Sequence, residues 1–555
     1  MSDSPGSAAS RHEGEATDAG SHAAALADMS KPGGPYARYV LGVLFLVYIF
    51  NFLDRQILSI LNEAIRADLG LSDAQMGFLY GTAFAVFYAV FGLPLGRLAD
   101  VWDRRKLIAI GLGFWSAMTA LSGLARNFGE LGAARIGVGI GEASATPAAF
   151  SMLGDYFPGR YRATVLAIYS SGIYVGAGLS LGIGGAIVDN WDAAYPAGTA
   201  PFGLMGWQVA FFAVGLPGLL LALWVATLRE PIRGMADGVF TPPEPHPFRV
   251  FFLELRAVVP PFTLYHLWAT RAGPRGFAVN LTAAAILAII AALLIAWLGS
   301  PAQWIAMAIG LYATFSWGQA LARRDASTFT LILRTRAMRY AALAFGAIAF
   351  VGYGVGYWTA PYFIRAHGIS TAEAGAVLGG TAAAAGFLGV TVGGIVGVRL
   401  RQNHVNGRLW VGMFVAVAIL PLGYVVFTAE SKLVAYVVNF PLTMVAAMWI
   451  GPGASTLQDL VLPRMRATCG AVYLLTVTFL GLALGPYTIG QISGTLDDHL
   501  GHAILIGLTV SALAVLFLLL AMRHLPGDES SLLQRARQAG ETIAGDTTDQ
   551  DAAHR

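Results

Sequence analysis

Long, nearly uncharged runs recur along the whole 555-residue chain, and a bilayer core about 30 Å thick needs roughly 20 apolar residues of helix to cross it. Fourteen runs are long enough. Six lie at 37–61, 74–98, 106–125, 128–153, 161–188 and 206–228, and six more at 338–364, 373–398, 408–428, 431–460, 467–492 and 502–523. Two extra runs, 277–298 and 302–322, sit between these sets. The expected fold is an all-α polytopic membrane protein. With 56% hydrophobic and 12% charged residues, the chain has too little polar surface to cover a water-soluble globule.

Lysine and arginine test the count independently, because the runs are chosen on hydrophobicity alone. With both ends placed in the cytoplasm, 29 basic residues fall in inner segments and four, Arg66, Arg126, Arg365 and Lys432, in outer loops. The remaining two, Arg55 and Arg135, lie inside spans. The predicted organisation is a disordered cytoplasmic tail at 1–36, a six-helix bundle at 37–230, and a cytoplasmic linker with an extra hairpin at 231–336. A second six-helix bundle follows at 337–524, and a solvated cytoplasmic tail at 525–555. An arginine-rich, alanine-rich chain of this kind is expected in a bacterial inner membrane.

A net charge of +3 supplies no field for nucleic acid. Cys469 is the only cysteine, which leaves no disulfide framework and no cysteine cluster for a metal. Without a zinc-protease helix, a nucleophile elbow or a phosphate loop in a supporting context, neither an enzyme nor a cofactor is expected. Asp497, Asp498, His499 and His502 have a spacing that suits a metal but read as a solvated turn.

The chain repeats itself. Asp155-Tyr-Phe-Pro-Gly-Arg160-Tyr-Arg162-Ala-Thr-Val-Leu-Ala-Ile-Tyr169 returns 304 residues later as Asp459-Leu-Val-Leu-Pro-Arg464-Met-Arg466-Ala-Thr-Cys-Gly-Ala-Val-Tyr473, with seven of fifteen positions identical. Both copies fall between the fourth and fifth spans of a half, so the fourteen spans resolve into six, two and six. Parallel half-repeats place a substrate path between them, opened by rocking one half against the other.

Three motifs carry a resemblance. The loop Gly96-Arg-Leu-Ala-Asp100-Val-Trp-Asp103-Arg104-Arg105 resembles the major facilitator signature G-x-L-A-D-R-x-G-R-R, with aspartate for the second glycine. Asn51-Phe-Leu-Asp54-Arg55 and Arg135-Ile-Gly-Val-Gly139-Ile-Gly141-Glu142-Ala-Ser resemble the first and fourth spans of the spinster branch of that superfamily. The resemblance implies the major facilitator fold and an amphipathic, lipid-like substrate such as a lysophospholipid or a sphingoid phosphate. Gly172-Ile-Tyr-Val-Gly176-Ala177 departs from the G-x-x-x-G-P pattern of drug antiporters.

Asp54 and Arg55 lie about seven residues, roughly 10 Å, from the outer end of the first span, and Arg135 about as far from that of the fourth. An ion pair of Asp54 with Arg135 or Arg55 is expected, since charges in lipid are tolerated when paired. Glu142 lies two turns deeper than Arg135 on the same helix face. Asp54 and Glu142 are the expected proton-coupling carboxylates, with Arg55 and Arg135 holding them or an anionic headgroup. The inner set Gly96, Asp100, Arg104, Arg105, Asp155 and Arg162 is expected to form a cytoplasmic gate. The second half lacks the signature aspartate, so an asymmetric gate is expected. Tyr80, Tyr88, Tyr169, Tyr174, Tyr353, Tyr357 and Tyr473 are candidates for lining an amphipathic cavity.

The linker from 230 to 276 sets Arg249, Arg256, Arg271 and Arg275 beside aromatic residues and reads as an interfacial piece drawn to anionic lipid. The extra hairpin is expected to face lipid. The function expected is a monomeric, proton-linked secondary transporter of amphipathic molecules in contact with membrane lipids. A transporter of a soluble organic anion, a multidrug exporter and a non-transporting receptor are the alternatives.

Overall fold

The computed structural model describes residues 32–196, 199–238 and 244–541. Most of the expected tail at 1–36 and the last residues of the chain lie outside the described residues. Among the described residues all regular structure is helical. Twelve helices are long and apolar enough to cross a membrane, so the fourteen-span count is not confirmed. The difference falls on the third and fourth runs. Both are helical, as Arg104–Ser122 and as the broken pair Phe128–Glu142 and Ala145–Tyr156. The first starts on three basic residues and the second carries Arg135 and Glu142, and these charges lower their apolar content.

The repeat reaches further into the structure than the fifteen-residue match. Arg104 binds Asp155. Arg408 binds Asp459 in the other half, so both partners are displaced by the same 304 residues. In each half a basic residue that opens the third helix thus braces the end of the fourth. The fourth helix breaks at Ala143 and Ser144, and its counterpart breaks at Met448 and Trp449, between Lys432–Ala447 and Ile450–Gln458. The asymmetry expected from the signature motif therefore does not extend to this brace.

The halves touch most closely along Gly159–Ala194 and Thr371–Asn403. A Cβ on Gly178 would stand 2.6 Å from the backbone oxygen of Gly379, and one on Gly185 would stand 2.3 Å from that of Thr371. Only residues without a side chain let the two backbones come this near. Side-chain links between the halves gather at the face opposite the tails. Arg365 reaches Asp73 through two bonds of 2.7 and 2.8 Å and Glu63 at 2.7 Å, while Ser493 donates to Asp73 at 2.7 Å. Arg66 binds Asp498, and Asp189 accepts from the backbone nitrogen of Ala372 at 2.7 Å. That face is closed by charge-assisted bonds over close-packed backbone.

The extra hairpin departs from expectation in one arm. Gly273–Leu298 is exposed along its apolar length, but Pro301–Arg324 buries Ala306, Met307, Gly310, Ala313, Trp317 and Leu321. A Cβ on Gly310 would meet Phe479 and Val86, one residue from each half, so this arm is wedged where the halves adjoin. The two arms are joined by polar contacts: Asn280 donates to Ser316 at 3.1 Å and to Gln319 at 2.9 Å, and accepts from Tyr312 at 2.6 Å. Such a network is tolerable in lipid because each member finds a partner inside the protein.

The stretch expected as a solvated tail from 525 begins as structure. The last long helix runs to Ser530, and Leu532–Gln538 follows with Ala536 fully buried. Arg464, in the repeated loop, binds both Glu541 and Asp325 of the linker, tying three distant segments together.

Candidate functional site

Four ionisable side chains are buried where the first and fourth helices cross: Asp54, Arg135 and Glu142 at 0% exposure and Arg55 at 7%. None is turned toward lipid. The connectivity differs from the expected one. Arg55 donates from Nη2 to Oε2 of Glu142 at 2.8 Å. Arg135 donates from Nη1 to the backbone carbonyl of Asp54 at 3.1 Å, which places the two at the same depth as the residue count requires. Neither arginine bonds the Asp54 carboxylate. Trp115 and Thr119 face it, yet neither of its oxygens has a hydrogen-bond partner among the described residues. The physical reason is helix phase: adjacent residues on a helix point about 100° apart, so Asp54 and Arg55 cannot serve one partner.

Glycines set this geometry. A Cβ on Gly139 would stand 2.5 Å from the backbone oxygen of Phe84, so the fourth helix presses on the second and brings Phe84 under both arginines. The guanidinium of Arg55 lies 4.4 Å from the Phe84 ring centre, 4.7 Å from that of Phe52 and 5.2 Å from that of Tyr88. An arginine stacked on aromatic faces keeps its charge in an otherwise apolar setting. The fourth helix is interrupted immediately after Glu142 by the turn at Ala143 and Ser144, whose backbone stays in the helical region and hydrogen-bonded to Gly139 and Gly141.

The seven tyrosines separate into two groups. Tyr80, Tyr169 and Tyr357 are buried in helix packing. Tyr80 stacks on Tyr357 across the halves at 4.2 Å, and Tyr357 accepts from Asn62 at 2.6 Å, so this pair belongs to the closed face. Tyr169 stacks on Tyr48 at 4.3 Å. Tyr88, Tyr174, Tyr353 and Tyr473 are partly exposed. Of these four, Tyr88 lies against the Arg55 guanidinium, 5.2 Å from ring centre to charge.

At the tail face the expected gate residues mostly serve one half. Arg104, fully buried, binds Asp155, Glu230 at 2.7 Å, Ser151 at 2.9 Å and the Pro231 carbonyl at 3.0 Å. Arg105 donates to the Leu228 carbonyl and to Asp103, each at 3.0 Å. Arg162 binds Asp237 at 2.9 Å rather than any expected partner. Asp100 is exposed and pairs with Arg97 at 3.4 Å, and Gly96 rests against Pro147. The expected set is thus not one cluster: Arg104 and Asp155 come together, and Asp100 and Arg162 stand apart from them.

Sequence reasoning passed over Asp73, Glu63 and the pairing role of Arg365, which close the opposite face, and Asp498, read there as part of a solvated turn, binds Arg66. Arg365 was visible as one of four basic residues on the sparsely charged side, the single signal that set it apart.

The family model for the Major Facilitator Superfamily matches residues 44–486. The chain belongs to the major facilitator superfamily. Within it, the chain is a spinster-like member. A bacterial homolog of the human lysosomal transporter Spinster, in an inward-facing and unoccupied conformation, superposes with a TM-score of 0.65 at 26% identity, over 89% of this chain and 98% of that one. An MFS-type efflux pump of Mycolicibacterium smegmatis is 24% identical over 83% of this chain and 85% of its own. A probable L-galactonate transporter of Escherichia coli is 32% identical over 34% of this chain and 38% of its own. This spinster-like facilitator is a multi-pass membrane transporter and not an enzyme.

Proposed function

We propose that this protein moves amphipathic, lipid-like anions across a bacterial inner membrane by alternating access, linked to protons. The observation that carries the reading is the Arg55–Glu142 pair, held at 2.8 Å and ringed by Phe52, Phe84 and Tyr88. A cation beneath aromatic faces suits a substrate with an acidic headgroup and an apolar body. A proton taken up by Glu142 would release Arg55, and an anionic headgroup would then replace the carboxylate, so that proton and substrate compete for one guanidinium. Asp54, one residue away and without a bond of its own, is the second acceptor.

Basic residues are concentrated at the face that carries both described chain ends, which supports placing that face in the cytoplasm. The closed face is then external, and the conformation is shut toward the outside. Rocking the halves would open the links of Arg365 to Asp73 and Glu63. The experiment is flux into proteoliposomes of labelled lysophosphatidylglycerol, with and without a pH gradient. Uptake driven by the gradient supports the proposal, and none in either case overturns it.

A second reading takes the cargo as a water-soluble sugar acid. It is favoured by the two arginines, since Arg135 keeps Nε and Nη2 unpaired among the described residues, and by the relative named as an L-galactonate transporter. Galactonate flux in the same vesicles, with no lysolipid flux, would select it.

A further inference from the structure

The linker helices Pro247–Val258 and Phe262–Ala269 turn 110° from one another and border two successive clefts outside the transport site. One, of about 630 Å³, is lined by Arg249 and Arg256 with Phe252, Phe262 and Tyr265. The next, of about 730 Å³, is lined by Arg271 with Trp268, Phe277 and Leu281 at the start of the exposed hairpin arm. The aromatic residues are unusually open: Trp268 is 68% exposed and Phe252 58%. Arg256 lies 5.4 Å from the ring centre of Tyr265. Glu254, the acid on the first of these helices, is taken by Arg324. Among the described residues no carboxylate bridges Arg249, Arg256 or Arg271.

We propose that these clefts form a binding site for an anionic phospholipid of the surrounding leaflet, distinct from the transported substrate. Its phosphate meets the arginines, whose planar fork matches phosphate oxygens. Its acyl chains run along Phe277 and Leu281 onto Gly273–Leu298, a helix that buries only Asn280 and Ala291. Open aromatic rings mark the level of the headgroups, and arginines beside them supply the attraction to acidic lipid. An acidic peptide would satisfy the arginines and leave the apolar wall bare, whereas a neutral lipid would do the reverse. Only an anionic phospholipid meets both. The site also has mechanical reach: Phe248 packs against Trp102 at 5.0 Å, at the end of the helix Thr82–Val101 that carries Phe84 and Tyr88 beneath Arg55.

The test is native mass spectrometry of the full chain in mild detergent, titrated with phosphatidylglycerol or phosphatidylcholine. Phosphatidylglycerol is expected to bind more tightly, and the double variant Arg249→Gln/Arg271→Gln to weaken it roughly 30-fold, at about 1 kcal/mol per arginine. Both side chains are exposed, so folding is not at stake. Arg249→Lys/Arg271→Lys should recover most of the affinity, and Trp268→Ala should weaken both lipids. Equal binding of the two lipids by the wild type, or undiminished phosphatidylglycerol binding in the double glutamine variant, would overturn the proposal. Because binding is read and not flux, the result is independent of what the central site transports.

Discussion

The guanidinium of Arg55 donates to Glu142 at 2.8 Å, joining the first helix to the fourth at the residue after which the fourth helix breaks. Its neighbour Asp54 touches Arg135 only through the main chain. The two carboxylates at this crossing are therefore unequal: Glu142 is held in an ion pair, whereas Asp54 makes none among the described residues and faces Trp115 and Thr119.

Glu142→Gln is expected to abolish the pH dependence of transport and to destabilise the protein, because it strands Arg55 as a buried charge, an effect of about 3–5 kcal/mol. Asp54→Asn is expected to leave stability unchanged or raise it while altering coupling. Thermal unfolding together with flux at several pH values separates the two, and identical behaviour of both variants would contradict the inequality.

Arg365→Gln is expected to loosen the closed face, since it removes the bonds to Asp73 and Glu63 that cross between the halves. The native Cys469 is buried, so a reporter at Leu61→Cys, itself fully buried near this face, can be read without other changes. Faster alkylation of the reporter in the Arg365→Gln background is the expected result. An unaltered rate would show that the remaining links and the glycine packing hold the face shut without Arg365.

Arg104→Gln should lower the melting temperature markedly, because a fully buried guanidinium bound to Asp155, Glu230 and Ser151 is lost. Asp100→Asn should not, because its one contact is an exposed pair of the kind worth at most about 1 kcal/mol. A comparable loss for the two variants would mean that Asp100 finds a stronger partner in another conformation.

The latch of Asp325, Arg464 and Glu541 should release in acid. Hydrogen bonds from Arg464 hold both carboxyls below their ordinary values, so the stabilisation is complete above the ordinary values, begins to fade just below them and is lost only as pH falls through the depressed ones. Limited proteolysis with an acid-active protease is expected to cut near the end of the chain sooner at pH 2.5 than at pH 5, since the lower value lies well below the ordinary carboxylate range of about 4. In Arg464→Gln the cleavage should be fast at both values; a pH-independent rate in the wild type would refute the latch.

Much of the fold is legible in the chain because lipid imposes a crude rule, apolar length, and because Lys and Arg report sidedness. The rule is weakest where charge intrudes: Arg135 and Glu142 lower the apolar content of the run at 128–153, which is helical but interrupted after Glu142. Burial of the four central charges follows from the same rule. Which of them pair does not, because a one-residue step turns a side chain by about 100°, and only the close approach at Gly139 decides what each one meets. Cross-half partners such as Arg365 and Asp73 are separated by 292 positions, with no spacing to betray them. The Arg104–Asp155 and Arg408–Asp459 braces are the exception, since duplication left a constant interval to follow.

Duplication copied the braces faithfully, yet at the same 304-residue interval Arg135 corresponds to Asn439 and Glu142 to Ala446. The two copies have parted duties, one retaining the braces and the other both the braces and the buried charges. A chimera built from two second halves would keep the hinges of a rocking machine and lose the central charge pair through which the proposed proton linkage acts.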